Sequence, residues 1–148
     1  MNARNDQWRE WPLDRLERQY SPSVCVASID PFLEAYVERS RRAAERLPYR
    51  QNVRWGEGGD EVFDFFPAAS PDAPLLLFLH GGYWQEHSKT DVLFVATNCV
   101  ARGIAYASVE YTLAPEATVP EIVEQCRELH AAVHELYIDY PIEVAFQT

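Results

Sequence analysis

The residues best suited to chemistry in this chain are His80-Gly81-Gly82-Tyr83-Trp84, which follow directly on the apolar run Leu75-Leu76-Leu77-Phe78-Leu79. A continuous aliphatic segment ending in paired glycines reads as a buried parallel strand running into a tight loop. Two glycines let the backbone turn sharply and aim its N–H groups at a ligand. Fixed donors of that kind suit an oxyanion hole, which stabilises negative charge developing on a carbonyl oxygen. A histidine at a strand end before two glycines is also what a plain tight turn contains. An oxyanion hole serves a nucleophile, often the serine of a G-x-S-x-G elbow. The six glycines (56, 58, 59, 81, 82 and 103) flank no serine in that pattern.

Other residues are weaker candidates. Ser108 falls inside an expected strand, and Ser88 has no base that spacing positions beside it. His87 is the sequence neighbour of Ser88, and adjacent side chains rarely face each other. Cys99 and Cys126 fall on apolar helix faces, where thiols are usually inert. Cys126, His130 and His134 recur every four residues, a spacing that can present ligands to zinc. With no His-Glu-x-x-His pattern and no further ligand, ordinary helix packing is preferred and no metal is expected. Gly56-x-Gly58 precedes neither a helix nor a lysine–serine pair, so it reads as a turn rather than a phosphate loop. Arg39, Arg41, Arg42 and Arg46 form a cluster that reads as a salt-bridged helix face in preference to an anion site.

The elements that must carry the loop follow from periodicity. Residues 1–51 read as a helical N-terminal segment. A short helix is expected over 11–20, and a better one from Asp30, a good N-cap, with Pro31 at the first helical position and Pro48 as its stop. Its apolar residues Phe32, Leu33, Tyr36, Val37, Ala43, Ala44 and Leu47 keep helical spacing. Residues 52–148 read as the core. Val53 and Trp55 alternate with polar neighbours, glycines punctuate, and Val62–Phe66 follows, which predicts an antiparallel hairpin. Strand Leu75–Leu79, a helix over Asp91–Arg102 closed by Gly103, a strand over Ile104–Tyr111 and a helix over Pro120–Tyr137 come next. The last helix has its stripe at Ile122, Cys126, Leu129, Val133 and Leu136, and a final strand begins near Ile142. Strand–helix alternation of this kind indicates an α/β sheet with right-handed crossovers.

Composition narrows the functional classes. The 148 residues are 47 % hydrophobic and 24 % charged, which is ordinary for a globular domain. Residues 1–54 hold ten basic and eight acidic groups; residues 55–148 hold three and fifteen. That acidic body would repel nucleic acid and anionic membrane surfaces. No apolar stretch approaches the roughly 20 residues needed to span a bilayer, and the N-terminus lacks a signal-peptide core. Cytoplasmic localisation is the expectation. Three widely spaced cysteines argue against a disulfide framework.

The order hairpin, strand, His-Gly-Gly loop, helix, strand, Tyr-x-Leu-Ala-Pro, helix resembles the α/β-hydrolase fold in its esterase and lipase branch. Within it, His80-Gly81-Gly82-Tyr83-Trp84 is similar to the HGGYW motif of kynurenine formamidases (arylformamidases). Glu110-Tyr111-Thr112-Leu113-Ala114-Pro115 is similar to that family's D-Y-x-L-A-P segment, with Glu in place of Asp, and Tyr20-Ser21-Pro22-Ser23 fits the same relatives. The resemblance implies that Gly82 and Tyr83 donate backbone N–H groups to the oxyanion and that Gly81 permits the turn. It implies further that Trp84 or Tyr83 walls an aromatic substrate pocket, and that His80 holds the loop instead of acting as base. The activity it implies is hydrolysis of N-formylkynurenine to kynurenine and formate, a step of tryptophan catabolism, or of a related ester or amide, without cofactor or metal.

The likeness covers only the N-terminal half of such a domain. Serine, acid and histidine follow in that order after the strand that begins near Ile142, and Ala145-Phe146-Gln147-Thr148 provides none of them. The expectation is therefore a chain inactive by itself, prone to self-association or completed by a separate C-terminal chain. The alternative is a non-catalytic remnant or interaction module that pairs through an exposed sheet edge.

Overall fold

In the computed structural model of this chain, which describes residues 6–136 and 142–146, both faces of one sheet are covered. Leu75, Leu77 and Leu79 pack into one apolar cluster, while Leu76 and Phe78 pack against a second. Period-two alternation in which both sides are apolar is what a strand between two helical layers requires. The strands are β1 (Arg50–Arg54), β2 (Val62–Phe66), β3 (Leu75–Leu79), β4 (Ala105–Val109) and β5 (Ile142–Phe146), in the spatial order β1-β2-β4-β3-β5. The hairpin β1–β2 and the β2–β4 pair are antiparallel; β3 lies parallel to β4 on one side and β5 on the other. The expected hairpin and parallel strands are present, and Leu75–Leu79 lies between two other strands.

The chain divides into two units, Met1–Ala35 and Tyr36–Thr148. The first contains α1 (Leu13–Tyr20), where Arg15 lies over the Trp11 ring, and a 3₁₀ turn at Pro22–Cys25. The helix α2 (Asp30–Arg46) has Asp30 as its first residue, one position before the expected Pro31: Phe32 and Leu33 donate to the Ile29 carbonyl, and Ser28 Oγ accepts from Asp30 N. The expected apolar stripe is only partly inward, for Val37 is 57 % exposed.

In the second unit, Phe63, Phe65, Ala105, Ala107 and Val109 share one face of the sheet with Ile122, Leu129 and Val133 of α4 (Val119–Leu136). Cys126 packs on the margin of this cluster. Opposite, Phe66 and Tyr106 meet Leu93, Ala96 and Cys99, with Ala44, Leu47 and Tyr49 alongside. Tyr49 stacks on Phe66, ring centroids 4.9 Å apart. The helix expected over Asp91–Arg102 is broken into a 3₁₀ turn, Lys89–Val92, and the short α3 (Val95–Val100). Its start is earlier than predicted because Ser88 and Asp91 form a capping box. Gly103, at φ +75°, ends the segment as expected. Leu136 as a stripe residue, and Tyr137 as the helix end, lie outside the described side chains and residues.

Leu77 sits at the middle of β3 with no exposed surface. Leu77→Ala should cost about 2–5 kcal/mol in urea unfolding, against under about 0.5 kcal/mol for the half-exposed Val123→Ala.

Candidate active site

The loop after β3 is held by polar groups from the end of β4. His80 is 3 % exposed, and both of its ring nitrogens face acceptors: Nδ1 lies 2.9 Å from the Gly81 carbonyl and Nε2 3.1 Å from Glu110 Oε1. A doubly protonated ring donates to both, whereas a neutral ring donates to only one. The Tyr111 hydroxyl donates to the His80 carbonyl at 2.7 Å, and its ring stacks on the imidazole at 4.5 Å. Glu110 reaches further. Its second oxygen accepts from the backbone N–H of Lys89 at 3.3 Å, so one carboxylate grips both ends of the loop from His80 to Lys89.

Lys89 is the chain's only lysine, and it is 6 % exposed. Its Nζ lies 3.1 Å from Asp64 Oδ1 and its carbonyl accepts from Ser108 Oγ at 2.7 Å. Asp64 and Ser108 are cross-strand partners on β2 and β4. Asp64 Oδ1 also accepts from Asn52 N, at 2.9 Å, where β1 bulges and Asn52 takes φ +53°. The other Asp64 oxygen is buried with no hydrogen-bond partner among the described residues. A charge placed this deep persists only because its counter-ion is beside it.

Between these anchors the backbone turns through positive φ at Gly82 (+119°), Tyr83 (+53°), Trp84 (+61°) and His87 (+73°). At Gly82 the turn demands a glycine, since a Cβ there would run into the Glu86 carbonyl. Gln85 and Glu86 donate to the Gly82 carbonyl, both at 3.0 Å. Three non-glycine residues with positive φ in one loop store strain, a frequent property of functional sites. Among the described residues no protein acceptor receives the N–H of Gly82 or Tyr83. Tyr83 is 81 % exposed and Trp84 43 %, their rings 5.4 Å apart. The Trp84 carbonyl accepts from Ala114 N at 2.8 Å, which joins the His-Gly-Gly loop to the Leu-Ala-Pro segment. Thr112 is tied in turn to Gln125 of α4 by two hydrogen bonds.

The sequence-selected residues His80, Gly81, Gly82, Tyr83 and Trp84 are thus one loop, and the second motif is joined to it through Ala114 and Tyr111. Ser108 is buried and engaged with Lys89, and Ser88 serves its capping box. Cys99 and Cys126 both have thiols pushed up by burial, which suits inert packing. His130 is exposed beside the half-buried Cys126; the His134 side chain lies outside the described residues. Spacing did not reveal the clamp formed by Asp64, Lys89 and Glu110. Two signals pointed to it: a lone lysine in an acidic region, and an aspartate inside the apolar strand Val-Phe-Asp-Phe-Phe.

Comparison with known proteins places this chain within a family. The sequence profile of the BD-FAE family matches residues 65–139, which contain the loop, Lys89 and Glu110 of the clamp, and all of α4. Kynurenine formamidase of Salmo salar is 35 % identical over 142 residues, and that of Danio rerio 34 % over 141; each alignment covers 88 % of this chain and 47 % of the relative. The chain spans about half the length of the formamidases it matches. A crystal structure of a Silicibacter protein, described as a candidate thioesterase, superposes with a TM-score of 0.78 at 26 % identity, covering 86 % of this chain and 49 % of that one.

Two outcomes test the clamp. Lys89→Met should destabilise the fold by about 3–5 kcal/mol, because Asp64 is left buried and unpaired, and adding Asp64→Leu should recover much of the loss; equal urea midpoints for the single and double variants would contradict this. The second outcome concerns alkali. Burial, with smaller contributions from Cys126 and Glu110, pushes the Tyr111 hydroxyl up from 10.0 to about 12. The native state then holds the proton longer than the unfolded chain, so stability is full below about pH 10 and falls towards about pH 12. Tyr111→Phe should flatten that decline, read from urea midpoints across the range.

Proposed function

Since the chain belongs to the BD-FAE family and its sheet is the N-terminal portion of an α/β-hydrolase sheet, we propose that it supplies the oxyanion-stabilising half of a serine-hydrolase site. The substrate class is an aryl formamide, N-formylkynurenine first, or a related ester or amide. The observation that supports this reading is the pair of N–H groups of Gly82 and Tyr83, uncommitted among the described residues, on a strained loop clamped at both ends. Donors held in place before reaction stabilise developing charge without reorganising, and one such donor is commonly worth about 10²–10³ in kcat.

In this scheme a serine oxygen attacks the formyl carbon and the carbonyl oxygen becomes an oxyanion, to which Gly82 and Tyr83 donate. Collapse breaks the C–N bond, and the arylamine leaves with a proton delivered by the base that took it from serine. Water then attacks the formyl-serine and releases formate. Gly81 contributes to the loop's turn, Trp84 and Tyr83 wall the aryl ring, and His80 positions the loop. Nucleophile, acid and base come from outside these 148 residues, so the chain alone is expected to be inactive. A second reading has one observation in its favour: β5 is an edge strand of the described sheet, and an open edge can capture another strand.

One assay separates these readings. The purified chain is incubated with N-formylkynurenine, a p-nitrophenyl ester and a fluorophosphonate probe, with and without the C-terminal half of the Salmo salar relative. The expected result is neither turnover nor labelling alone, and both when the second polypeptide is present. Labelling of the chain alone would place a nucleophile within it and overturn the proposal; stable pairing without hydrolysis would favour edge capture.

A further inference from the structure

The arginine cluster of α2 has no part in the hydrolase reading, and in the structure it divides. Arg41 donates to Glu38, at 2.9 Å, and to Glu45, while Arg42 Nε donates to Glu38 at 2.7 Å. Hydrogen bonds from Arg41, then Arg42, hold the Glu38 carboxyl down at about 2, so it stays charged and offsets its partners. Arg39 and Arg46 have no ion pair among the described residues. Spacings of three and four place Arg39, Arg42 and Arg46 along one side of the helix. There they line a cleft of about 430 Å³ whose other wall is Phe94, Thr97 and Asn98.

The two walls are fixed against each other. Ser40, 2 % exposed, donates from Oγ to the Asp91 carbonyl at 2.9 Å and accepts from Phe94 N at 3.3 Å. The Tyr36 and Phe94 rings meet at 4.9 Å. Asn98 spends its side-chain oxygen on Arg102, at 3.4 Å, which leaves its NH₂ to donate. The cleft therefore offers guanidinium forks, a hydroxyl, an amide donor and an aromatic surface, in a volume typical of small-molecule sites.

We propose that this cleft binds a small oxyanion ligand carrying at least two negative charges, a phosphate ester or a polycarboxylate, with its apolar part against Phe94. The chain carries a formal charge of −10, so a general attraction for anions is absent, and the local excess at Arg39 and Arg46 supplies the selectivity.

Calorimetric and amide-NMR titration of the 148-residue chain with pyrophosphate and with citrate, at low ionic strength, tests the site. Saturable binding is expected, with shifts at the Thr97 and Asn98 amides. Affinity should fall at least about tenfold in Arg39→Gln/Arg46→Gln and weaken with added salt. Arg41→Gln, whose partners are acids of its own helix, should bind as the parent does. Preference for pyrophosphate identifies a phosphate ester, and preference for citrate a polycarboxylate. No saturable binding of either probe, or equal binding by the double variant, overturns the proposal. So does a ligand-free dimer that the double variant dissociates, since the cleft would then hold an acidic surface of a second copy.

Discussion

One carboxylate carries a large share of this structure's organisation. Glu110 stands at the end of β4 and takes His80 with one oxygen and the Lys89 amide with the other. A loop that turns through several positive-φ residues has little intrinsic reason to keep one shape. Tying its first and last residues to the same side chain removes most of its freedom and leaves the residues between them directed outward. Tyr111 strengthens the near end through the His80 carbonyl, and Asp64 and Ser108 fix the far end through Lys89. The loop inherits its precision from the sheet.

That arrangement exposes the fold to an electrostatic cost. Asp64 and Lys89 are both buried, and one Asp64 oxygen has no hydrogen-bond partner among the described residues. Burying an ion pair is seldom a net gain in stability over apolar residues of similar size. Here the pair does what apolar residues could not, because it fixes a position and a direction for the residue that ends the loop. Apolar packing on both sides of the sheet offsets the cost: α4 covers one face, and the α2–α3 side covers the other.

Much of the fold was legible in the sequence because short-range patterns carry it. The apolar segment Val62–Phe66 with its single polar residue Asp64, the aliphatic run Leu75–Leu79 and the stripe of α4 each encode an element. Local errors had local causes. The early start at Lys89 came from the Ser88–Asp91 capping box, and Val37 shows that helical spacing alone does not ensure burial.

The sequence by itself determined which residues form the loop, that paired glycines allow its turn, and which motif family it belongs to, because these depend on neighbours in the chain. Only the tertiary structure decided that Glu110 reaches both His80 and Lys89. It also decided that the arginines of α2 divide into paired and unpaired members beside α3. Those outcomes depend on groups separated by 21 to 54 positions coming within hydrogen-bond distance. Such proximity is fixed by strand order and helix docking, and no spacing along the chain encodes it.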